Sequence, residues 1–139
     1  MQGYNVIMVY SRDRKKILMC KRKKEPYQGL FNLVGGKIET DEDGLGAAYR
    51  ELSEETGVSR ADIELHHLMD FRYFYQVCWV EVYVGKLMSE VPLQDEVNEL
   101  FWSDLNRNFF GPEYAGEGNI GHMVEQVKLY EQKIFKTVK

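Results

Sequence analysis

The chain has 139 residues, a formal net charge of −4, 44% hydrophobic residues and 29% charged residues. That size and balance suit one globular domain, residues 1–139, with a real core, and argue against a disordered chain or a membrane protein. A weakly acidic chain is also poorly suited to nucleic-acid binding through a basic face, so any phosphate it handles needs local cations or bound metal.

Tyr4 to Tyr10 is rich in β-branched and aromatic residues and reads as a strand. "SRDRKK" follows as a turn, and Ile17 to Arg22 reads as the second strand of a hairpin. Pro26 and Gly29 break the next stretch, and the short apolar run Phe31 to Val34 leads straight into Gly35-Gly36. Thr40 to Thr56 reads as a helix, with Thr40 three residues before Asp43 as a capping-box-like start and Gly57 as the stop. Leu45, Ala48, Tyr49 and Leu52 form its expected buried stripe.

Ile63 to Phe74 and Val77 to Leu87 read as two long strands, and Glu99 to Trp102 as a short one. Gly121 to Phe135 reads as a closing helix with Met123, Val127, Tyr130 and Ile134 on one face. Strands on both sides of a central helix, with another helix at the end, predict a mixed sheet packed by helices. No apolar run approaches the roughly 20 residues of a membrane span, and Met1 to Asn5 carries no secretory pattern. Cys20 and Cys78 both lie in apolar strand-like runs, which predicts reduced, packed thiols in a cytoplasmic protein.

Glu51, Glu54 and Glu55 stand at i, i+3 and i+4, within an arc of about 100° on one helix face. Like charges at that spacing repel by a few tenths of a kcal/mol per exposed pair. A hard divalent cation would compensate, because Mg²⁺ prefers carboxylate oxygens and keeps waters for substrate phosphates. No His or Cys cluster accompanies them, which argues against zinc. The simpler reading is a solvated acidic face.

The surrounding spacing favours the metal. From Gly36 the sequence runs through five residues to Glu42, seven more to Arg50-Glu51-Leu52, then Glu54-Glu55 and Gly57-Val58. This resembles the Nudix box, G-x5-E-x7-R-E-U-x-E-E-x-G-U with U a bulky aliphatic, at every specified position. The resemblance implies an α/β/α sandwich with a mixed sheet. It also implies Mg²⁺- or Mn²⁺-dependent hydrolysis of a nucleoside diphosphate linked to another group. By position, Glu51, Glu54 and Glu55 are implied metal ligands, with Glu54 or Glu55 also orienting the attacking water. Glu42 and Arg50 are implied to aim those carboxylates, the Gly35 carbonyl to be a further ligand, and Gly57 to end the helix.

"GLFNLVGGK", residues 29–37, also resembles the stretch of Nudix enzymes that clear oxidised purine triphosphates, where the Asn bonds the base. Asn32 falls at that position and is either a base reader or a strand-end hydrogen-bonding residue. Arg22, at a strand end, is expected to clamp phosphate or to be solvated, and Lys37 to meet a phosphate or carboxylate. In "LQDEVNELFW", Glu96 resembles the later acidic residue of family members and is expected as an extra ligand or general base. The stretch 106–119, with Phe109, Phe110 and Tyr114, is expected to pack as a surface loop, the alternative being an aromatic lid over a base. His66, His67 and His122 lack ligand spacing and read as structural.

The expectation is a monomeric or homodimeric hydrolase whose partner is a small nucleotide, most simply an oxidised purine triphosphate. ADP-ribose, nucleotide sugars and dinucleoside polyphosphates are the alternative substrates, and a noncatalytic nucleotide-sensing module is the competing class.

Overall fold

In the computed structural model, which describes residues 1–94 and 97–136, the first strand organises the rest. β1 (Gln2–Tyr10) pairs in parallel with β6 (Cys78–Lys86) along its whole length, from Gln2↔Cys78 to Tyr10↔Lys86. β5 (His66–Tyr73) lies antiparallel on the far side of β6, with a register shift between His67 and Met69. The opposite edge of β1 is shared. β2 (Lys16–Lys21) meets it near the turn, Tyr10↔Ile17, and β4 (Val34–Lys37) pairs with Tyr4 to Ile7.

β1 and β2 therefore diverge, and residues 31–37 cross the opening between them. β3 (Phe31–Asn32) pairs with β2, the chain passes through Leu33, and β4 continues on β1. That crossing carries Gly35 and Gly36 into the middle of the sheet. β7 (Glu99–Asp104) completes the sheet on the outer edge of β2.

Alternation along β1 divides the core. Ile7 and Val9 pack on one face with Ala48, Leu52 and Val58, while Met8 and Tyr10 pack on the other with Ile120, Met123, Val124 and Val127. The helices α1 (Gly44–Thr56) and α2 (Asn119–Ile134) thus cover opposite faces of one mixed sheet, the expected sandwich. Neither helix is long and apolar enough to cross a membrane.

α1 starts four residues later than Thr40. Asp43 is the N-cap in its place, its carboxylate accepting from the Gly46 amide at 2.5 Å. Gly57 ends the helix as expected, at φ 83° with its N–H on the Ser53 carbonyl. Leu45 is 40% exposed and leaves the stripe, where Ala47 takes part instead. Tyr130 on α2 is 48% exposed, so Ile120 and Val124 carry the buried face that its spacing had suggested. The first long strand also begins later than predicted, at His66, with Ile63 joining only through a bridge to Leu87. Both cysteines are free, Cys20 buried and Cys78 only partly so.

Candidate active site

α1 is laid against β4 by its apolar side, Ala48 and Leu52, which leaves the glutamate face along the glycine pair. The approach is close: a Cβ on Gly36 would overlap the Glu51 carboxylate, and one on Gly35 would overlap the Asn5 carbonyl oxygen. Only glycine lets the helix and strand meet here.

Arg50 organises the acids. Its Nε donates to Glu42 Oε2 at 2.9 Å and its Nη2 to Glu42 Oε1 at 2.5 Å, a two-pronged grip that also ties the Lys37 carbonyl at 3.0 Å. This grip, with help from the Glu39 amide, draws the Glu42 carboxyl down to about 2. The same guanidinium turns Nη1 toward Glu51 Oε1 at 3.1 Å and Glu54 Oε2 at 3.2 Å. The repulsion expected between neighbouring glutamates is thus relieved by an internal cation.

The three carboxylates differ in environment. Glu54 has 60% of its side chain exposed, whereas Glu51 has 18%. Burial raises the Glu51 carboxyl against the pull of Arg50. Glu55 is buried, its Oε2 accepting from the Gly35 amide at 2.9 Å and its Oε1 from Asn98 Nδ2 at 3.1 Å. Burial raises Glu55 too, and those two donors oppose the rise.

Beside this face lies a cavity of roughly 610 Å³ whose wall includes Gly35, Gly36, Arg22, Asn32 and Lys37. The predicted phosphate and base residues are therefore brought to one hollow. Arg22 donates from Nε to the Pro26 carbonyl at 3.3 Å and sits near enough to Glu55 to favour its ionised form. Asn32 accepts the Leu33 amide at 2.8 Å on its carbonyl oxygen, a strand-end bond that leaves its NH2 as a donor. Glu96 lies outside the described residues. Phe109 and Tyr114 are buried and Phe110 is 56% exposed, so 106–119 packs as a loop rather than closing as a lid. His67 stacks on Tyr83 at 4.6 Å and pairs with Asp70.

Several residues of the site were not anticipated. Asn98 fixes Glu55 and accepts the Lys23 amide, and a lone Asn after an acidic loop gives no spacing to read. Asn5 is buried, accepts the Gly36 amide at 3.0 Å, and keeps an Nδ2 with no partner among the described residues. Its signal was a polar side chain inside "YNVIMVY". Tyr27, Tyr73, Glu117 and Asn119 line the far end of the cavity. For Glu117 the signal was a charged residue between two glycines.

Whether the acids suit a divalent cation can be judged from their arrangement. Among the described residues no three His, Cys, Asp or Glu side chains converge tightly enough to hold a metal as they stand. Glu55 is turned to the strand and Glu54 outward. The donor set nonetheless fits a hard cation: all oxygen, with two carboxylates already focused on one positive nitrogen. A cation there requires Glu51 and Glu54 to leave Arg50 Nη1, while Glu42 retains the rest of the guanidinium.

Residues 1–123 match the family model described as NUDIX domain. A stretch of 43 residues, 31% of the chain, is 49% identical to an ADP-ribose pyrophosphatase of Methanocaldococcus jannaschii. Another of 66 residues, 46% of the chain, is 38% identical to an RNA pyrophosphohydrolase of Ruthia magnifica subsp. Calyptogena magnifica. These matches span 25% and 35% of the two relatives' own lengths. In fold, the chain is similar to the NUDIX domain of Shewanella oneidensis NrtR solved with ADP ribose. That likeness has a TM-score of 0.74 at 21% identity and covers 93% of this chain and 87% of that one. Divalent metal ions are generally used by hydrolases of this kind. With the box residues Arg50, Glu51, Glu54 and Glu55 on a helix against the glycine pair and the family model covering most of the sequence, the chain belongs to the Nudix family.

Proposed function

We propose that this protein is a Mg²⁺- or Mn²⁺-dependent pyrophosphohydrolase that cleaves a phosphoanhydride in a nucleoside diphosphate linked to another group. The favoured substrate is a purine nucleoside triphosphate, released as monophosphate and pyrophosphate. The observation that carries this reading is the focus of Glu51 and Glu54 on one cationic nitrogen, next to a cavity large enough for a nucleotide.

A bound divalent cation would neutralise phosphate oxygens and make a coordinated water a stronger nucleophile at neutral pH. In this reading Glu51, Glu54, Glu55 and the Gly35 carbonyl hold it. Glu42 and Arg50 keep the carboxylates on one face, and Gly36 keeps the strand close beneath them. Arg22 and Lys37 face the cavity and bind the phosphates, a role their charges suit in an otherwise acidic chain. Glu54, the exposed acid, accepts the proton of the attacking water at its carboxylate, and Glu55 orients that water. Asn32 offers its free NH2 to the base. Glu96 is assigned as a further ligand or base from its position in the sequence alone.

ADP-ribose stands as the second substrate reading, since one relative is named for its hydrolysis and a protein of similar fold was solved with it bound. A turnover screen with Mg²⁺ over purine triphosphates, their 8-oxo forms, ADP-ribose and dinucleoside polyphosphates separates the readings. Preferred release of pyrophosphate from a purine triphosphate supports the proposal. Preferred cleavage of ADP-ribose replaces its substrate, and tight binding with no cleavage of any compound replaces the enzyme with a sensing module.

A further inference from the structure

At the end of the cavity away from the glutamates, the Tyr27 hydroxyl donates to the Glu117 carboxylate, 3.1 Å from each of its oxygens. The two residues are 90 positions apart, and both carry left-handed backbone, Tyr27 at φ 67° and Glu117 at φ 53°. Glu117 sits between Gly116 and Gly118, themselves at φ 89° and 93°. Non-glycine residues in this region are strained, and such strain collects where a chain must present a side chain to a ligand. Here it holds both ends of one hydrogen bond at the cavity wall.

We propose that Glu117 reads the Watson–Crick edge of a guanine-type base, and that the Tyr27 hydroxyl occupies the place of that edge in the free protein. The inference rests on the nucleotide reading of the cavity. A hydroxyl equidistant from two carboxylate oxygens stands where a pair of parallel N–H donors would stand. Guanine presents such a pair, N1–H and N2–H, with O6 as the neighbouring acceptor.

The other polar groups of the cavity complete the match. Asn32 holds the Leu33 amide on its oxygen and keeps its NH2 as a donor, the partner that O6 needs. Asn119 donates from Nδ2 to the Tyr73 hydroxyl at 2.5 Å and keeps its oxygen as an acceptor for the remaining N2–H. Phe71 and Met123 supply apolar wall for the ring faces. Adenine would set its N1 lone pair against the carboxylate, and cytosine its N3 and O2. Uracil has acceptors on both sides of its single N–H. Oxidation at C8 leaves the Watson–Crick edge as it is, so guanine and 8-oxoguanine are read alike here.

The test is equilibrium binding by calorimetry in Mg²⁺, using uncleaved α,β-methylene triphosphate analogues of guanosine, inosine and adenosine, with ADP-ribose as a further ligand. The wild-type protein should bind the guanosine analogue about tenfold more tightly than the inosine analogue, which lacks N2–H, and about a hundredfold more tightly than the adenosine analogue. In Glu117→Gln the guanosine and inosine affinities should converge to within about twofold, because an amide presents one donor and one acceptor. In Tyr27→Phe guanosine affinity should rise about threefold or more, since no hydroxyl has to be displaced.

Equal wild-type affinity for adenosine and guanosine analogues, or tightest binding of ADP-ribose, overturns the proposal. So does a guanosine preference that survives Glu117→Gln, or unchanged or weakened binding in Tyr27→Phe. Because none of the triphosphate analogues is cleaved, this ranking is measured independently of turnover, and loss of all hydrolysis would count against the enzymatic reading alone.

Discussion

Arg50 holds Glu42 by two parallel hydrogen bonds and reaches Glu51 and Glu54 with its remaining nitrogen, so one guanidinium bridges three carboxylates of the acidic face. A lysine has no planar fork and serves at most part of this set. Arg50→Lys is therefore expected to lower the melting temperature in metal-free buffer. Added Mg²⁺ or Mn²⁺ should recover part of the loss, because a divalent cation takes over the neutralisation of Glu51 and Glu54. Differential scanning fluorimetry with and without metal checks this, and identical melting points for the two proteins would refute the role given to Arg50.

The same pair predicts an acid dependence. Glu42 is drawn from its ordinary value of 4.5 to about 2 by the Arg50 bonds and the Glu39 amide. A carboxyl lowered on folding stabilises the native state above its ordinary value and loses that contribution as pH falls toward the folded value. The stability gap between the wild type and Glu42→Gln should accordingly be widest above about pH 5 and narrow toward pH 2. Urea titrations followed by tryptophan fluorescence across that range measure it.

Glu54→Gln and Glu55→Gln should each lower metal-dependent turnover by about a hundredfold or more while circular dichroism stays native. The two should differ in stability. Glu54 is mostly exposed and its change should leave the melting point nearly unaltered. Glu55→Gln sets an amide NH2 against either the Gly35 or the Asn98 donor, and should melt lower. Full turnover in both variants would remove these residues from the reaction.

Asn98→Ala deletes a donor from a buried carboxylate. Loss of that bond should cost about 1–3 kcal/mol of stability. It should also move Glu55 further upward, since the Asn98 bond opposes the rise caused by burial. The ionised form would then need a higher pH, so the acid limb of kcat/KM should shift upward relative to the wild type. A lower kcat with an unmoved acid limb would show that Asn98 does not tune Glu55.

Gly35→Ala would place a Cβ against the Asn5 carbonyl oxygen, with the backbone already at φ 154°. β4 must move away from β1 to admit it. An overpacked site of this sort loses about 1–3 kcal/mol, and the displacement should also weaken Mn²⁺ binding as read by electron paramagnetic resonance. Native stability and unchanged Mn²⁺ affinity would contradict the close approach described here.

The motif was legible because a helix converts sequence spacing directly into a face: Glu51, Glu54 and Glu55 could be placed together before any fold was known. Asp43 and Thr40 are both good caps, and their order along the chain does not say which wins; contact between α1 and the sheet does. Leu45 and Tyr130 fit helical periods yet point outward, since periodicity locates a stripe but not its edges. The parallel pairing of β1 with β6 left no local trace, because strand partners are chosen by the whole sheet. Asn5, Asn98 and Glu117 escaped for a related reason: each acts alone, and its meaning comes from a neighbour at least 20 residues away or from the cavity it faces.

The nine-residue pairing of β1 with β6 also bears on how the chain acquires its shape. The segment that anchors the glycine pair finds its longest partner only after some 70 further residues have been added, from Gln2 across to Cys78. Non-local pairing of this type slows folding, and until it closes the strand has an exposed edge open to wrong partners. During synthesis, the acids and glycines of the box will have left the ribosome well before the scaffold that lets them meet.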